Sequence, residues 1–397
     1  MKRIPLGARP DWRDKAEAAG FAFHSMHGEP YWDEESAYAF TLEEVEGGIE
    51  DPSTELHGLC REAAAEITAS EELMTRLAIP PAHMDLVRDS WTAGEPELYG
   101  RMDLAFGAGG PAKLLEYNAD TPTSLFETAS FQWTWLEDRI ADGTLPQGSD
   151  QFNGVFEALR DRLGALFESG TDLHFAAFEA SPEDYATVET MAYAAREAGL
   201  GAHFVDMGAI ALSTEGQFLD AESRVIGALF KLYPWEDMLR DDFADRIAGA
   251  GCRILEPAWK AVVSNKGLLP VLWRMFEGHP NLLPAFFEDE LASGDPLVER
   301  ARAALERGQV RKPIFSREGA GVTITEGGAV VEASSNKDYG AHPHVVQAYA
   351  ELPLLDGMRP VVGAWIVGER CVGMGLREDR SRITEDLSRF KPHYIEA

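Results

Sequence analysis

Asp103 and Glu116 have a spacing that could place two carboxylates side by side on a β-hairpin. Residues 101–106 alternate between polar and apolar side chains, which is typical of a half-buried strand. The glycine-rich residues 107–111 follow, so residues 113–118 can return as the second strand. With the turn centred between positions 109 and 110, Asp103 faces Glu116.

Opposed carboxylates repel each other unless a positive charge lies between them. Facing residues of an antiparallel pair have Cβ atoms about 4.5–5.5 Å apart. The same register places Asn118 opposite Arg101 on that face. Two carboxylates and an amide oxygen suit Mg²⁺, and Arg101 could stabilise negative charge that develops in a reaction. An ordinary solvated strand with a slipped register is the alternative.

The chain has 397 residues, which is long enough for two or three domains, and its formal charge is −31. Such an acidic chain repels phosphate backbones and anionic lipid at long range, so neither nucleic acid nor a membrane surface is an expected partner. The same charge would favour a cationic ligand such as a polyamine. An acidic surface that only maintains solubility is the alternative.

Three scattered cysteines form no CxxC pair, so the sequence indicates neither a disulfide framework nor a zinc site. The first residues lack the apolar segment of a signal peptide, and no run of about 18 apolar residues occurs. We therefore expect a cytoplasmic protein. Nothing in the sequence indicates its oligomeric state.

Secondary-structure patterns change along the chain. Residues 11–95 carry mostly helical patterns, whereas residues 173–207 have the pattern of a β-α-β unit, which indicates a parallel sheet. Two hairpins are expected near positions 327 and 368. We expect three domains: 1–150 with the N-terminal helices and the metal-binding hairpin, 151–250 with the β-α-β unit, and 251–397 with a nucleotide-binding region.

Lys266 and Lys312 in the last third of the chain could bind the phosphates of a nucleotide. Lys312 precedes a glycine-rich stretch that includes Gly319 and Gly321. Backbone N–H groups in such a turn can contact phosphates while a lysine supplies charge. Each signal alone also fits a solvated lysine or a plain hairpin turn. Together with the carboxylates, they describe an ATP site assembled between sheets.

Four motifs give the chain a resemblance to a known family. In order, they are LLEYNADTPTSL, EPAWKAVVSNKGLLPVLW, RKPIFSREGAGV and REDRSRITEDLSRFKPH. With YWDEESAYAFT from residue 31, the chain resembles the glutathionylspermidine synthase family, in particular its short members. The resemblance implies a mixed α+β and α/β chain with an ATP-grasp fold, arranged as in eukaryotic glutathione synthetase, and a pre-ATP-grasp β-α-β domain.

The resemblance also implies a role for each motif residue, with two Mg²⁺ ions as cofactors and ATP as co-substrate. The implied residues of the phosphoryl-transfer site are the metal ligands Asp103, Glu116 and Asn118, the phosphoryl-stabilising Arg101, the ATP-phosphate ligands Lys266 and Lys312, and Arg377 at the acyl phosphate. The implied substrate residues are Thr121, Thr123 and Ser124 for the acid, and Glu236 and Asp237 for the amine. Turn chemistry and helix-dipole complementation are the alternatives for these substrate residues.

Two further positions are less specific. Gln347, or the segment through Leu352, could form the adenine-binding strand, although a buried strand would look the same. His342 and His344 resemble a ligand pair, but a site built from oxygen ligands for magnesium argues against a transition metal.

The expected reaction is ATP-dependent formation of an amide through an acyl phosphate, which joins a peptide or small carboxylate to a polyamine or amino acid. The chain departs from the bifunctional family members because it lacks their amidase domain, so we expect no hydrolysis of the amide. Residues 121–125 also differ from the Ser-Ala-Ser-Cys type that accompanies glutathione, which favours another acyl donor. A nucleotide-binding regulator, an ATP hydrolase without ligase activity and a metal-dependent phosphohydrolase are the alternatives.

Overall fold

The structure, a computed structural model, describes residues 1–26, 28–385 and 387–397. Some helices begin at a capping side chain, as at Ser181, whose Oγ accepts the N–H of Asp184 while Pro182 opens the helix. The α-helices are α1 Trp12–Ala18, α2 Leu42–Val45, α3 Asp51–Ala69, α4 Glu71–Arg76, α5 Met84–Thr92, α6 Gln132–Ala141, α7 Val155–Leu166, α8 Pro182–Glu197, α9 Trp235–Met238, α10 Lys260–Val263, α11 Leu268–Met275 and α12 Pro296–Arg307.

The β-strands are mostly short and lie in several sheets. They are β1 Lys2–Pro5, β2 Ser25–Met26, β3 Glu29–Pro30, β4 Ser36–Phe40, β5 Tyr99–Ala105, β6 Lys113–Asn118, β7 Asp172–Ala177, β8 Gly201–Asp206, β9 Ala211–Leu212, β10 Phe218–Leu219, β11 Ala228–Lys231, β12 Arg253–Leu255, β13 Ala285–Phe287, β14 Gln309–Pro313, β15 Thr323–Glu326, β16 Ala329–Ala333, β17 His344–Ala348, β18 Arg359–Val367, β19 Arg370–Asp379, β20 Arg389–Lys391 and β21 His393–Ile395. The expected hairpins form at β15–β16 and β18–β19.

The hairpin of β5 and β6 has the predicted register where it carries its polar groups. Its pairs are Arg101–Asn118, Asp103–Glu116 and, beyond a register shift, Leu104–Leu114. Leu115 is the extra residue of a β-bulge, so the simple register is wrong nearer the turn. The bulge leaves the Leu115 carbonyl without a partner on β5, which frees it for a contact described below.

The hairpin belongs to a five-stranded antiparallel sheet with the order β20-β19-β18-β5-β6. β18 pairs with β5, so that Gly363 lies opposite Asp103 and Trp365 lies opposite Arg101. The carboxylate of Asp103 therefore projects from a strand that is hydrogen-bonded on both sides.

A second five-stranded antiparallel sheet has the order β13-β17-β14-β15-β16. It carries Lys312 on β14 and Gln347 on β17, and both side chains are buried. Residues of the two sheets line opposite walls of one cleft. The sequence motifs on β6 and β14, far apart along the chain, thus meet in space.

The predicted β-α-β unit is confirmed. β7 and β8 pair in parallel, and α8 connects them. β11 and β12 extend the sheet to the order β12-β11-β7-β8. Gly199 follows α8 with a φ of +81°, the left-handed conformation that commonly ends a helix.

The first 95 residues contain strands that the helical prediction omits. β4 pairs with β1 in antiparallel and with β21 in parallel orientation. All five residues of β4 are buried, so the alternation that reveals a half-exposed strand is absent. The division into 1–150, 151–250 and 251–397 stays a prediction. Within the described residues, no helix combines the length and the apolar character needed to cross a bilayer.

Candidate active site

Arg101, Asp103, Glu116 and Asn118 share the face of the hairpin that lines the cleft. Arg101 donates from Nε to Asp103 Oδ1 at 2.7 Å and from Nη2 to Oδ2 at 3.1 Å. The Asn118 amide nitrogen lies 3.4 Å from Asp103 Oδ2 and 3.3 Å from Glu116 Oε1. The other orientation of this amide would point its oxygen between the carboxylates. The predicted grouping of these side chains is therefore present.

This donor set fits a hard cation. Two carboxylates and one amide are oxygen ligands of the kind that Mg²⁺ prefers, and Mg²⁺ keeps further positions for water and phosphate. In the described part of the chain, no group of three or more His, Cys, Asp or Glu side chains is arranged to hold a metal. The His342 ring packs edge-on against Phe315, with ring centroids 5.2 Å apart. The hairpin donors are thus the better candidates, completed by ligands from outside the chain.

Lys266 and Lys312 reach the hairpin from the opposite wall. Lys266 Nζ lies 3.1 Å from Glu116 Oε2, and Lys312 Nζ donates to the bulged Leu115 carbonyl at 3.0 Å. Burial raises the pKa of Glu116, but the two lysines outweigh it and set this pKa at about 2. Burial lowers the pKa of Lys312 to about 8, against the raising effect of Glu116. Gln347 Oε1 accepts a further hydrogen bond from Lys312 at 2.9 Å.

The cleft has a polar end and an apolar end. Its polar end holds Asp103, Glu116, the two lysines and Arg377. Its apolar end is lined by Val310, Val322, Ile324, Tyr349, Leu352, Val361 and Ile383. A cleft with one charged end and one apolar end suits a ligand with phosphates and a planar base.

The glycine-rich turn contributes Ser316 and Gly319 to the cleft. Gly319 has a φ of +68°, and a Cβ there would lie 2.6 Å from Ile383 Cγ2. Gly321 instead lies behind the turn, where a Cβ would lie 2.8 Å from Pro313 Cγ. Only Gly319 therefore lines the cleft, and contact of either glycine with phosphate stays a prediction.

Arg377 lies on β19 and faces both the cleft and a small recess beside Arg101. Within residues 1–26, 28–385 and 387–397, no carboxylate pairs with its guanidinium. The recess also contains Ser124, whose φ of +68° is uncommon for a residue with a side chain. Thr123 offers its carbonyl to Arg101 Nη1 at 2.7 Å, while Thr121 is half-buried and lines neither cavity. The arginines and most of the proposed acyl-binding turn thus lie together.

Sequence reasoning missed Tyr31, Glu127 and Glu183 beside this turn. Tyr31 donates its hydroxyl hydrogen to Glu127 Oε1 at 2.6 Å and lies 3.1 Å from Ser124 Oγ. Burial and the nearby Glu183 raise the pKa of Glu127 to about 8. Burial also raises the pKa of Glu183 to about 7, against a hydrogen bond from Thr123 and the charge of Arg377. Perturbed carboxyl groups beside a cleft mark a functional region.

The residues predicted for the amine lie at the start of α9. Glu236 Oε1 pairs with Arg317 Nη2 at 3.2 Å, which links α9 to the glycine-rich turn. Asp237, the next residue, is exposed. The two acids therefore border the turn on the outer side of the cleft.

Comparisons with known proteins place the chain in a family. The family described as glutathionylspermidine synthase preATP-grasp matches residues 3–396. A Haemophilus influenzae protein, provisionally named an acid–amine ligase, is 37% identical over 408 aligned positions that cover 100% of both chains. The chain belongs to the glutathionylspermidine synthase family. Another relative in this family, the trypanothione synthetase of Crithidia fasciculata, is 30% identical over 83% of this chain and 52% of its own length.

Other members of the glutathionylspermidine synthase family are more distant. The bifunctional glutathionylspermidine synthetase/amidase of Escherichia coli is 22% identical over 96% of this chain and 63% of its own length. Among solved structures, a glutathione synthetase-like effector of Globodera pallida superposes with a TM-score of 0.55 at 11% identity, covering 90% of this chain and 89% of its own. These findings confirm the ATP-grasp fold, and the family relatives show that the chain is a C–N ligase.

Proposed function

We propose that this family member joins a peptide or small carboxylate to a polyamine or amino acid through an acyl phosphate, with ATP as co-substrate. The observation that carries the proposal is the convergence of Asp103, Glu116, Lys266 and Arg377 on one cleft, with Arg101 in the adjoining recess. Phosphoryl transfer needs positioning and charge neutralisation more than a protein nucleophile. The cleft supplies both kinds of charge at its polar end.

In the first half-reaction, a carboxylate oxygen of the acid attacks the γ-phosphorus of ATP. The bond from this phosphorus to the β–γ bridging oxygen breaks, and ADP leaves. Lys266 and Lys312 hold the phosphates from one wall, while Arg101 and Arg377 face the transferred group from the other. Mg²⁺ bound at the hairpin carboxylates would neutralise phosphate charge. Loss of any of these lysines or arginines would slow phosphoryl transfer more than it slows the second half-reaction.

In the second half-reaction, the amine nitrogen attacks the acyl carbon. The carbon–oxygen bond to phosphate breaks, phosphate leaves, and the nitrogen loses a proton to give the amide. The turn at residues 121–124 is our proposed contact for the acid, and Glu236 and Asp237 attract a cationic amine. Because residues 121–125 differ from the type that accompanies glutathione, we infer an acid other than glutathione.

We also propose magnesium as the metal and the cytoplasm as the compartment. Magnesium follows from the oxygen-only donor set on the hairpin. The cytoplasm agrees with three free cysteines, Cys60, Cys252 and Cys371. We propose small molecules as the partners, because the charged groups of the candidate site lie inside a cleft.

The test is ADP release by the purified chain with Mg²⁺ and ATP, in a matrix of peptides and carboxylic acids crossed with polyamines and amino acids. Mass spectrometry of the products identifies any amide. We expect ADP release that depends on both acid and amine and matches the amide formed. ADP release that no acceptor stimulates, with no condensed product in any well, would contradict the ligase proposal and favour an ATP hydrolase.

Matched variants separate the site from general stability. Glu116→Gln removes a proposed ligand of Mg²⁺, and we expect amide formation to fall at least about 100-fold because a weakly bound metal would no longer neutralise phosphate charge. Glu277→Gln removes an exposed carboxylate that pairs with Arg300 far from the cleft, and it should leave activity unchanged. Equal activity of the two variants would exclude Glu116 from the site.

A further inference from the structure

Asp120 and Lys231 form a buried ion pair between two segments that are distant in sequence. Asp120 Oδ1 lies 2.5 Å from Lys231 Nζ, and the side chains are 1% and 0% exposed. Asp120 Oδ2 accepts the backbone N–H of Trp235 at 2.7 Å. The ammonium group of Lys231 also lies 4.8 Å from the centre of the Trp235 ring. One carboxylate thus binds two groups from a distant part of the chain.

The pair lies between the two proposed substrate regions. Asp120 follows Asn118 by two residues and directly precedes the turn at residues 121–124. Trp235 is the first residue of α9, and Glu236 comes next. The hydrogen bonds of Asp120 therefore join the residue before the turn to the start of α9.

Stability alone does not account for such a pair. Replacing both members of a buried ion pair with apolar side chains is often neutral or stabilising, whereas removing one partner is strongly destabilising. A buried ion pair also fixes the relative orientation of the two segments that carry it, because its hydrogen bonds are satisfied in only one arrangement. Here that arrangement fixes the turn against the start of α9.

We propose that Asp120 and Lys231 are positioning residues that set the distance between the acyl-binding turn and the acidic end of α9. This inference rests on the proposed function, in which the turn contacts the acid and α9 attracts the amine. Attack requires the amine nitrogen about 3–3.5 Å from the acyl carbon, and an error of 1 Å can cost about 100-fold in rate. The pair therefore governs the second half-reaction and leaves formation of the acyl phosphate largely intact.

The experiment compares two nucleophiles in the full-length chain, with the acid found in the substrate screen. One is the cationic amine of the screen. The other is hydroxylamine, which is small and neutral at pH 7.5 and traps the acyl phosphate as a hydroxamate. In D120N and K231M, we expect kcat/KM for the amine to fall at least about tenfold through a raised KM and a lower kcat, while hydroxamate formation changes less than about threefold.

The double variant D120A/K231M separates positioning from stability. We expect its melting temperature to return close to that of the wild type, because no buried charge is left unpaired. Amide formation should nevertheless stay low, since nothing ties the turn to α9. Recovery of amide formation together with stability, or an equal fall of both products in every variant, would overturn the proposal.

Two controls complete the design. Glu34 forms a buried ion pair with Arg9 away from the cleft, and E34Q should change both products only in proportion to its folded fraction. Hydrogen exchange at the Trp235 amide should be at least about tenfold faster in D120A/K231M, and an unchanged rate would overturn the proposed tether. A wild-type chain that forms neither amide nor hydroxamate would contradict the proposed function, while this exchange measurement would still decide whether the pair holds the two segments together.

Discussion

The position of the Arg101 side chain is fixed by the hydrogen bonds of its guanidinium and by the packing of its aliphatic part. Its guanidinium donates to Asp103 and to the Thr123 carbonyl, so it cannot swing away without losing both contacts. The stem crosses Gly363 on the neighbouring strand, where a Cβ would lie 2.8 Å from Arg101 Cδ. A glycine at position 363 therefore gives this arginine the space it occupies.

Gly363→Ala should lower activity with little loss of stability. The added methyl group must push the Arg101 stem aside, which displaces the guanidinium from the proposed phosphoryl position. We expect kcat to fall at least about tenfold, measured as amide formation at saturating substrates. Gly227→Ala is the control, because no atom lies within 4 Å of a Cβ at that position. If both variants match the wild type, Arg101 does not depend on Gly363.

His393 should make stability depend on pH. Burial lowers the pKa of its imidazole to about 3, below the ordinary value of 6.5. Between these values the unfolded chain binds a proton that the folded chain excludes, so the free energy of unfolding falls as pH decreases, by up to about 1.4 kcal/mol per pH unit. Urea unfolding of the wild type and His393→Gln between pH 7 and pH 4 should give a shallower slope for the variant. Parallel curves would contradict this assignment.

The contacts within the hairpin were predictable from its own residues, and the approach of Lys266, Lys312 and Arg377 from the family resemblance, whereas the contacts of Tyr31 were not predictable. The pairs Arg101–Asn118 and Asp103–Glu116 follow from one turn and the two-residue period of strands. The contact of Tyr31 with Glu127 depends on the packing of two segments, and neither segment has a periodic signal that indicates it. An acidic residue in the first turn of a helix is common, so the position of Glu183 in α8 gave no sign that it lies near Arg377.

At the scale of elements, a buried polar network supports the hairpin from the side opposite the cleft. The Tyr117 hydroxyl lies 3.0 Å from His57 Nδ1, and His57 Nε2 lies 3.1 Å from Glu97 Oε1. Lys260 Nζ lies 2.7 Å from Glu97 and 3.6 Å from Glu256. Because Tyr117 lies between Glu116 and Asn118 on β6, this network fixes the strand that carries the proposed metal ligands.

Lys260→Met should destabilise the fold. It removes a side chain that is 0% exposed and that is the nearest cation to two buried carboxylates, Glu97 and Glu256. We expect the free energy of unfolding in urea to fall by about 3–5 kcal/mol. Lys15→Met, which breaks a partly exposed pair with Asp138, should change it little. A loss for Lys260→Met no larger than for the control would show that the network does not stabilise the hairpin.

Elements with a strong local signal were predictable, and those defined by burial were not. The capped helix α8 and its two strands follow from the pattern of residues 173–207. β4 is buried throughout, so it lacks the alternation by which a strand is recognised. The bulge at Leu115 has no sequence signal that we can name, yet it presents the carbonyl that Lys312 binds.

At the scale of the whole molecule, a strongly acidic chain places several cations around one cleft. The chain carries a formal charge of −31, whereas Lys266, Lys312, Arg101 and Arg377 surround the proposed phosphate region. An anionic nucleotide must therefore approach a repelling surface before it meets attracting groups. A cationic amine is instead attracted by the acidic surface before it meets the repelling cations of the cleft.

Salt should speed nucleotide binding. The Debye length falls from about 30 Å at 0.01 M to about 8 Å at 0.15 M ionic strength, which screens the distant acidic surface more than the contacts inside the cleft. We expect the association rate of a fluorescent ADP analogue, measured by stopped flow, to rise over this range. The rate for a matched neutral nucleoside should not change. A nucleotide rate that falls with salt would mean that the cleft cations dominate the approach.

The pairing of β18 with β5 has a consequence for synthesis in the cell. When β5 and β6 leave the ribosome, the strand that completes their sheet lies most of the chain length away. At a synthesis rate of about 5–20 residues per second, β18 follows ten seconds or more after the hairpin, and until then the edge of β5 that pairs with β18 has no partner strand. Exposed edges of this kind promote association with other chains, so nascent chains that end before residue 359 should depend on chaperones more than the complete protein does.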